Sequence, residues 1–228
     1  MSLNISKGNM YGFVTHTFNM VKGKCSHDCV YCYMKQFKLN PVRFDKSELK
    51  TDLGAGNFIF VGSSTDMWAR DIPDDWIRQV LTHCMHFPNT YLFQSKNPFR
   101  FYKWRDSFPA NTIIATTIET NRDTETNAPE PWERAEAMNA LGANVDHLRR
   151  MITIEPIMEF DLLSMIAIIK SCYPDWVNIG ADSKGHNLPE PSKEKVNQLI
   201  IELKKFTKII QKKNLDRLIA GSGPPERN

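Results

Sequence analysis

Short apolar runs separated by longer stretches of helical periodicity set the pattern of this chain. The runs are GFVTHTF (12–18), NFIFVG (57–62), TYLFQS (90–95), TIIATTI (112–118), MITIEP (151–156) and WVNIGA (176–181). Each is rich in β-branched or aromatic residues and bounded by polar or turn residues, which predicts six strands. Between them, Ile77, Val80, Leu81 and Cys84 recur at helical spacing over 74–86. Pro131 opens a second helical stretch to Leu141, at a first-turn position where proline is tolerated. Asp161 is placed to cap a helix over LLSMIAIIKSC, and Ser192 to cap the longest one, whose stripe runs through Val196, Leu199, Ile200, Leu203, Phe206 and Ile210. Shorter helices are expected at 45–52 and 98–105. No fixed-period repeat, low-complexity tract or long linker interrupts the alternation.

Strands alternating with helices predict an α/β fold with a parallel sheet and right-handed crossovers, either doubly wound or an incomplete barrel. In both arrangements the carboxyl ends of the strands share one face, where ligands bind. A polar group follows nearly every apolar run: Asn19 and then a cysteine-bearing loop, SSTD (63–66), SKN (95–97), ETNR (119–122), Glu155 and Glu159, and ADSKGHN (181–187). These clusters are expected to converge on one mouth.

Length and composition narrow the class. A chain of 228 residues with 41% hydrophobic and 11% aromatic side chains can build its own core, which excludes disorder. No run approaches the roughly 18 apolar residues that cross a bilayer, and MSLNISKGNM lacks the apolar centre of a signal peptide. The expectation is a cytoplasmic protein with no membrane partner, in which thiols stay reduced. The five cysteines therefore need a reason other than disulfides. Cys84 and Cys172 stand alone on predicted helix faces and read as core residues, whereas Cys25, Cys29 and Cys32 fall together in CSHDCVYC.

Three thiolates at C-x3-C-x2-C spacing can wrap a soft metal centre, and both zinc and an iron–sulfur cluster fit that chemistry. A structural zinc wants a fourth ligand, usually from a second pair of ligands, and no second pair exists. His27 is a nearby fourth donor, awkwardly placed between two of the cysteines. A four-iron cluster held by three cysteines leaves one iron open.

The spacing, with Tyr31 just before the last cysteine, resembles the signature of the radical S-adenosylmethionine (SAM) superfamily. QSKNP (94–98), TTIETNR (116–122), ITIEPIM (152–158) and WVNIGADS (176–183) resemble strand motifs of a phage-associated branch related to the spore photoproduct lyase group. The resemblance implies a partial (β/α)6 TIM-like barrel over residues 1–190, with a cluster loop at 20–35, and a C-terminal helix and tail, 191–228, packed on it. It implies that Cys25, Cys29 and Cys32 hold a 4Fe-4S cluster and that SAM binds the open iron. Tyr31 would lie beside the adenine. Ser63, Ser64 and Asp66 occupy the place of the superfamily's Gly-Gly-Glu motif, which is absent here. Lys96 would meet the SAM carboxylate, Thr117, Glu119 and Asn121 the ribose, and Glu155, Gly180 and Asp182 complete the set. Glu155 sits in a predicted buried strand and so needs a partner, with Arg150 one candidate.

The chemistry so implied is reductive cleavage of SAM to a 5′-deoxyadenosyl radical, with a flavodoxin or ferredoxin as electron donor. Lys22, Lys24, Lys35 and Lys38 beside the cluster, a lysine-rich last helix and the related repair group point to nucleic acid or a nucleotide as substrate, although the net charge is only +3. The competing class is a non-enzymatic zinc or iron–sulfur module that binds nucleic acid or a partner protein.

Overall fold

The computed structural model describes residues 3–7, 10–142 and 148–220, so the motif-free tail 221–228 lies outside the described residues. The strands are β1 (Asn4–Ile5), β2 (His16–Phe18), β3 (Val21–Lys22), β4 (Arg43–Phe44), β5 (Phe58–Val61), β6 (Thr90–Gln94), β7 (Thr112–Thr117), β8 (Arg149–Ile154), β9 (Trp176–Ile179) and β10 (Lys208–Gln211). The helices are α1 (Asp74–Met85), α2 (Phe99–Trp104), α3 (Pro131–Gly142), α4 (Leu162–Ser171), α5 (Lys193–Leu203) and α6 (Asp216–Ala220). All six predicted strands form, wholly or in part. One eight-stranded sheet has the order β1-β2-β5-β6-β7-β8-β9-β10, and β3 pairs with β4 in a separate ribbon. From β2 to β10 every neighbouring pair is parallel, and only β1 is antiparallel.

Three expectations are corrected. The helix capped by Ser192, α5, stops at Leu203, and Ile210 belongs to a strand beside β9. The run Phe206, Thr207, Ile209, Ile210 is rich in residues that favour extended chain, and the otherwise open edge of β9 offers it a ladder of backbone partners. The first apolar run is a strand only over His16–Phe18, because its earlier residues turn inward to fill the sheet. Of the two helix caps, Ser192 accepts from the Lys195 amide at 3.3 Å, whereas Asp161 makes no cap hydrogen bond and spends its carboxylate on Asn121 and Arg122.

Side chains alternate between the two faces of a strand, and the two faces differ here. Ile59, Val61, Phe93, Ile114, Ile152, Ile154, Val177 and Ile179 point to the outer face, where Ile77, Leu81 and Cys84 of α1, Met165 and Ile169 of α4 and Val196 and Leu199 of α5 bury them. Cys84 and Cys172 are fully buried in this layer, as expected of packing residues. The inner face carries Phe58, Phe60, Leu92, Ile113, Ala115, Met151 and Trp176, and among the described residues its apolar cover at this level is Met10, Tyr11, Phe13 and Val14.

Phe13 shows how far the sheet curls. Its ring lies 4.9 Å from that of Phe58 in β5 and 5.9 Å from that of Trp176 in β9. Those strands are four positions apart, at least about 19 Å in a flat sheet at roughly 4.8 Å per strand. The sheet therefore wraps around this aromatic plug, but among the described residues it does not close. No helix among them is long and apolar enough to cross a membrane. If Phe13 fills the curl, Phe13→Ala lowers the unfolding free energy by about 2–3 kcal/mol, read by denaturant titration, and Phe13→Leu loses less than about 1.5 kcal/mol; equal losses would mean the ring is not packed as described.

Candidate cofactor site at the strand carboxyl ends

The inner-face parity that buries Phe60, Ala115 and Met151 continues upward through Gln94, Thr117, Thr153 and Asn178, and past the strand ends to Gly62, Lys96, Glu119, Glu155 and Gly180. Apolar filling thus gives way to polar groups at one mouth, as the sequence predicts.

The cysteine loop leaves β3 and ends in a 3-10 turn, Tyr33–Gln36. Gly23 opens it at φ +113°, where a Cβ would meet the Pro41 carbonyl at 2.5 Å. Cys29 is buried and Cys25 and Cys32 are half-buried. All three line one cavity of about 420 Å³ together with Ser63, Ser64, Asp66, Lys96 and Thr117. Burial, with Asp66 nearby, pushes the Cys25 thiol up to about 12, and burial also raises Cys32. Thiols held this way ionise once a metal cation replaces the proton. No three His, Cys, Asp or Glu side chains among the described residues converge on a single ion. His27 is engaged elsewhere, since its Nε2 lies 2.9 Å from Asp66 Oδ2.

The loop after β5 is tied to the cysteine loop. Asn19 Oδ1 accepts from the Ser64 amide at 3.0 Å, Tyr33 donates its hydroxyl to the Ser63 carbonyl at 2.7 Å, and Thr65 donates to the Gly23 carbonyl at 2.8 Å. Asp66 accepts from the Trp68 and Lys96 amides, the Ser95 hydroxyl and His27, each at 2.9 Å. Burial opposes its charge, but the His27 hydrogen bond and the two amides hold the carboxyl below its ordinary range.

Behind the cavity, Glu119 has no solvent exposure and is held by Lys96 Nζ at 2.6 Å and Arg134 Nη1 at 2.7 Å. Arg134, equally buried, also donates to the carbonyls of Pro129 and Thr117. Burial pushes the Lys96 amine down to about 7. Its ammonium sits 4.9 Å from the centre of the Tyr31 ring, whose buried hydroxyl has no hydrogen-bond partner. Deeper in the mouth, Gln94 accepts from Tyr11 and donates to Thr117. Glu155 accepts from Lys212 at 2.8 Å and Asn214 at 2.9 Å. A Cβ on Gly180 would lie 2.8 Å from the Glu155 carboxyl, so this approach requires glycine. Burial and the Glu155 charge hold the Tyr11 hydroxyl well above its ordinary range.

Eight sequence candidates thus line the cavity: the three cysteines, Ser63, Ser64, Asp66, Lys96 and Thr117. Tyr31 and Glu119 touch Lys96, while Glu155 and Gly180 meet on the inner face near Tyr11. Asn121 does not line the cavity; it brackets Asp161, accepting from its amide at 2.7 Å beside the two-pronged Arg122–Asp161 contact. Asp182 organises its own loop, accepting from the Lys184 and His186 amides and the His186 ring. The expected Arg150 partner of Glu155 is replaced by Lys212 and Asn214. Arg150 lies at the start of β8, over the Tyr173 ring. Arg134, Gln94, Lys212 and Asn214 escape sequence reasoning, though Arg134 stands next to the buried Ala135 in a stretch that also buries Ala137 and Met138. Because Arg134→Met would strand a buried carboxylate with one counter-charge, it lowers the unfolding free energy by about 3–5 kcal/mol, and adding Glu119→Gln recovers part of the loss; a single variant as stable as the natural chain in urea would refute the pairing.

No family model matches the sequence, and no curated protein matches it. Solved structures do resemble it in fold. A cysteine-to-alanine variant of spore photoproduct lyase with dinucleoside spore photoproduct superposes with a TM-score of 0.59 at 11% identity, covering 90% of this chain and 66% of that one. Spore photoproduct lyase complexed with dinucleoside spore photoproduct gives 0.59 at 10% identity, over 89% and 64%. A double variant with bound AdoMet and dinucleoside spore photoproduct gives 0.55 at 10% identity, over 87% and 64%. The chain spans about two thirds of the length of these lyases, and at such identity the likeness is one of fold: a mixed α/β architecture built on a mostly parallel sheet.

Proposed function

We propose that this chain is a radical SAM enzyme whose curled sheet is a partial (β/α)6 barrel. One observation carries this reading: the C-x3-C-x2-C cysteines line the same cavity as polar groups from the ends of β5, β6 and β7. The fold likeness to spore photoproduct lyase supports it from a separate direction. The donor set fits a cluster: three thiols on one short loop, with no fourth ligand among the described residues and one iron left for a small molecule. It also fits SAM, because Ser63 and Ser64, Lys96 and Thr117 offer hydroxyls and a cation within one cavity wall, with the Glu119 carboxylate behind Lys96.

When bound and reduced, the cluster would supply the electron that splits the SAM sulfonium and yields a 5′-deoxyadenosyl radical. The chain's own residues hold and shield. Lys96, kept in place by Glu119 and by the Tyr31 ring, offers a cation to the SAM carboxylate. Glu119 keeps its geometry because Arg134 fixes its second oxygen. Ser63 and Ser64, set by Asn19 and Tyr33, face the amino acid end of SAM, and Tyr31 flanks the adenine. Thr117, Glu119 and Asn121 serve the ribose side, with Asn121 acting from its bracket on Asp161. Glu155, Gly180 and Asp182 bound the far side of the mouth. The Tyr11, Phe13 and Trp176 plug closes the bottom of the curl, which keeps water and stray hydrogen donors from a radical.

A nucleotide or nucleic acid is the substrate class this reading favours, supported by the flanking lysines and by the dinucleoside spore photoproduct bound to the lyases of similar fold. A cytoplasmic flavodoxin or ferredoxin would supply the electron. After anaerobic reconstitution the protein should be brown and carry about four irons per chain, Cys29→Ala should lose them, and dithionite with SAM should release 5′-deoxyadenosine. A colourless protein holding one zinc, or a four-iron protein that never cleaves SAM, would overturn the proposal.

A further inference from the structure

Both oxygens of the Asp66 carboxylate are already engaged by donors that the fold supplies. Its Oδ1 accepts from the Trp68 amide, and its Oδ2 from the Ser95 hydroxyl, the Lys96 amide and His27 Nε2, all at 2.9 Å. A carboxylate offers about four acceptor positions; three of the four donors share Oδ2 and one takes Oδ1, so each oxygen is oriented by the fold. The side chain is 12% exposed and that of His27 6%. An incoming ammonium group would meet a carboxylate whose orientation the fold has already set.

His27 lies between Cys25 and Cys29 and is held at both ends. Its ring is fixed by Asp66, and so by the ends of β5 and β6. Its carbonyl accepts from the Asn127 amide at 2.7 Å and the Thr126 hydroxyl at 2.8 Å, from the segment after β7. The Thr126 hydroxyl also stands 3.3 Å from Cys29 Sγ. A short loop rich in rotatable bonds is thereby fixed to three strand ends through one residue. We propose that Asp66 is a positioning residue, which sets the placement of Cys25 and Cys29 through His27, and that it is not a contact of the bound SAM.

The meaning of that placement rests on the proposed cluster, so the experiment separates the two ideas. Asp66→Asn, His27→Ala and the double variant are reconstituted beside the natural chain, and two quantities are read: the rate of iron loss to a chelator, and the SAM dissociation constant of the iron-bearing fraction. Outer partners of metal ligands typically contribute about ten- to a hundred-fold in metal retention. Each single variant should therefore lose iron at least about ten-fold faster, the double variant no faster than the worse single one, and SAM affinity should stay within about two-fold of the natural value. A Asp66→Asn protein that keeps its iron but binds SAM about ten-fold more weakly would show direct contact and overturn the proposal. So would fully additive effects in the double variant. If Asp66→Asn does not fold, Thr126→Val probes the clamp from its other side: faster iron loss supports it and an unchanged rate refutes it. If the natural chain takes up no iron, the proposed function fails by itself. The clamp is then judged on the metal-free protein by a double-mutant cycle of unfolding free energies, where coupling between Asp66 and His27 supports it and additivity overturns it.

Discussion

A parallel sheet has two faces, and in this molecule the helical crossovers cover one of them. Everything at the mouth of this molecule depends on how the other face is covered. The helices bury the outer face under Ile, Leu and Val, and curling lets the inner face fill itself where Phe58, Phe60, Met151 and Trp176 converge on Phe13. The filling is asymmetric along the strands. Large apolar groups crowd the amino-terminal half, and the same alternation then presents Gln94, Thr117, Thr153 and Asn178, followed by charged residues. Dry packing below and polar groups above form one continuous gradient, produced by period-two alternation in five neighbouring strands.

Charge at the mouth is balanced within the protein. Glu119 lies between Lys96 and Arg134, Glu155 meets Lys212, and Asp66 meets His27 and two amides. Buried ions on this scale are tolerable only when paired and hydrogen-bonded. Such pairs contribute little net stability but define geometry sharply, because each oxygen has a designated donor. Lys96 is the most exposed to change: it is close to the Cys29 and Cys32 thiols and an aromatic ring, and burial already weakens its hold on a proton.

Much of this was legible in the sequence, and the reason is local. Strands buried on both faces read as unbroken apolar runs, so β5 through β9 were found within a residue or two. The cysteine spacing is a contiguous motif, and the strand-end polar groups follow directly from the alternation that precedes them. β10 was hidden because Ile209 and Ile210 continue the helical stripe of α5; the open edge of β9, a tertiary circumstance, decides the matter. Phe13 reads as strand for the opposite reason, since an aromatic plug and an aromatic strand share a composition. Arg134, Lys212 and Asn214 gave no signal: a basic or amide side chain on a polar stretch reads as solvated until a buried carboxylate some distance away is known to face it. His27 was weighed only as a metal ligand, although its neighbourhood supplies a carboxylate instead.

The order of strands across the sheet is also their order along the chain, from β2 to β10. A chain emerging from a ribosome could therefore add each strand to an edge already made, with no strand inserted between two earlier ones. The mouth follows the same schedule. Its cysteines come first, Lys96, Glu119 and Arg134 next, and the Lys212 and Asn214 groups that brace Glu155 arrive only with the last strand. The far wall of the mouth is thus the final part to be built, and the cysteine loop has its own wall of β5, β6 and β7 well before synthesis reaches that point.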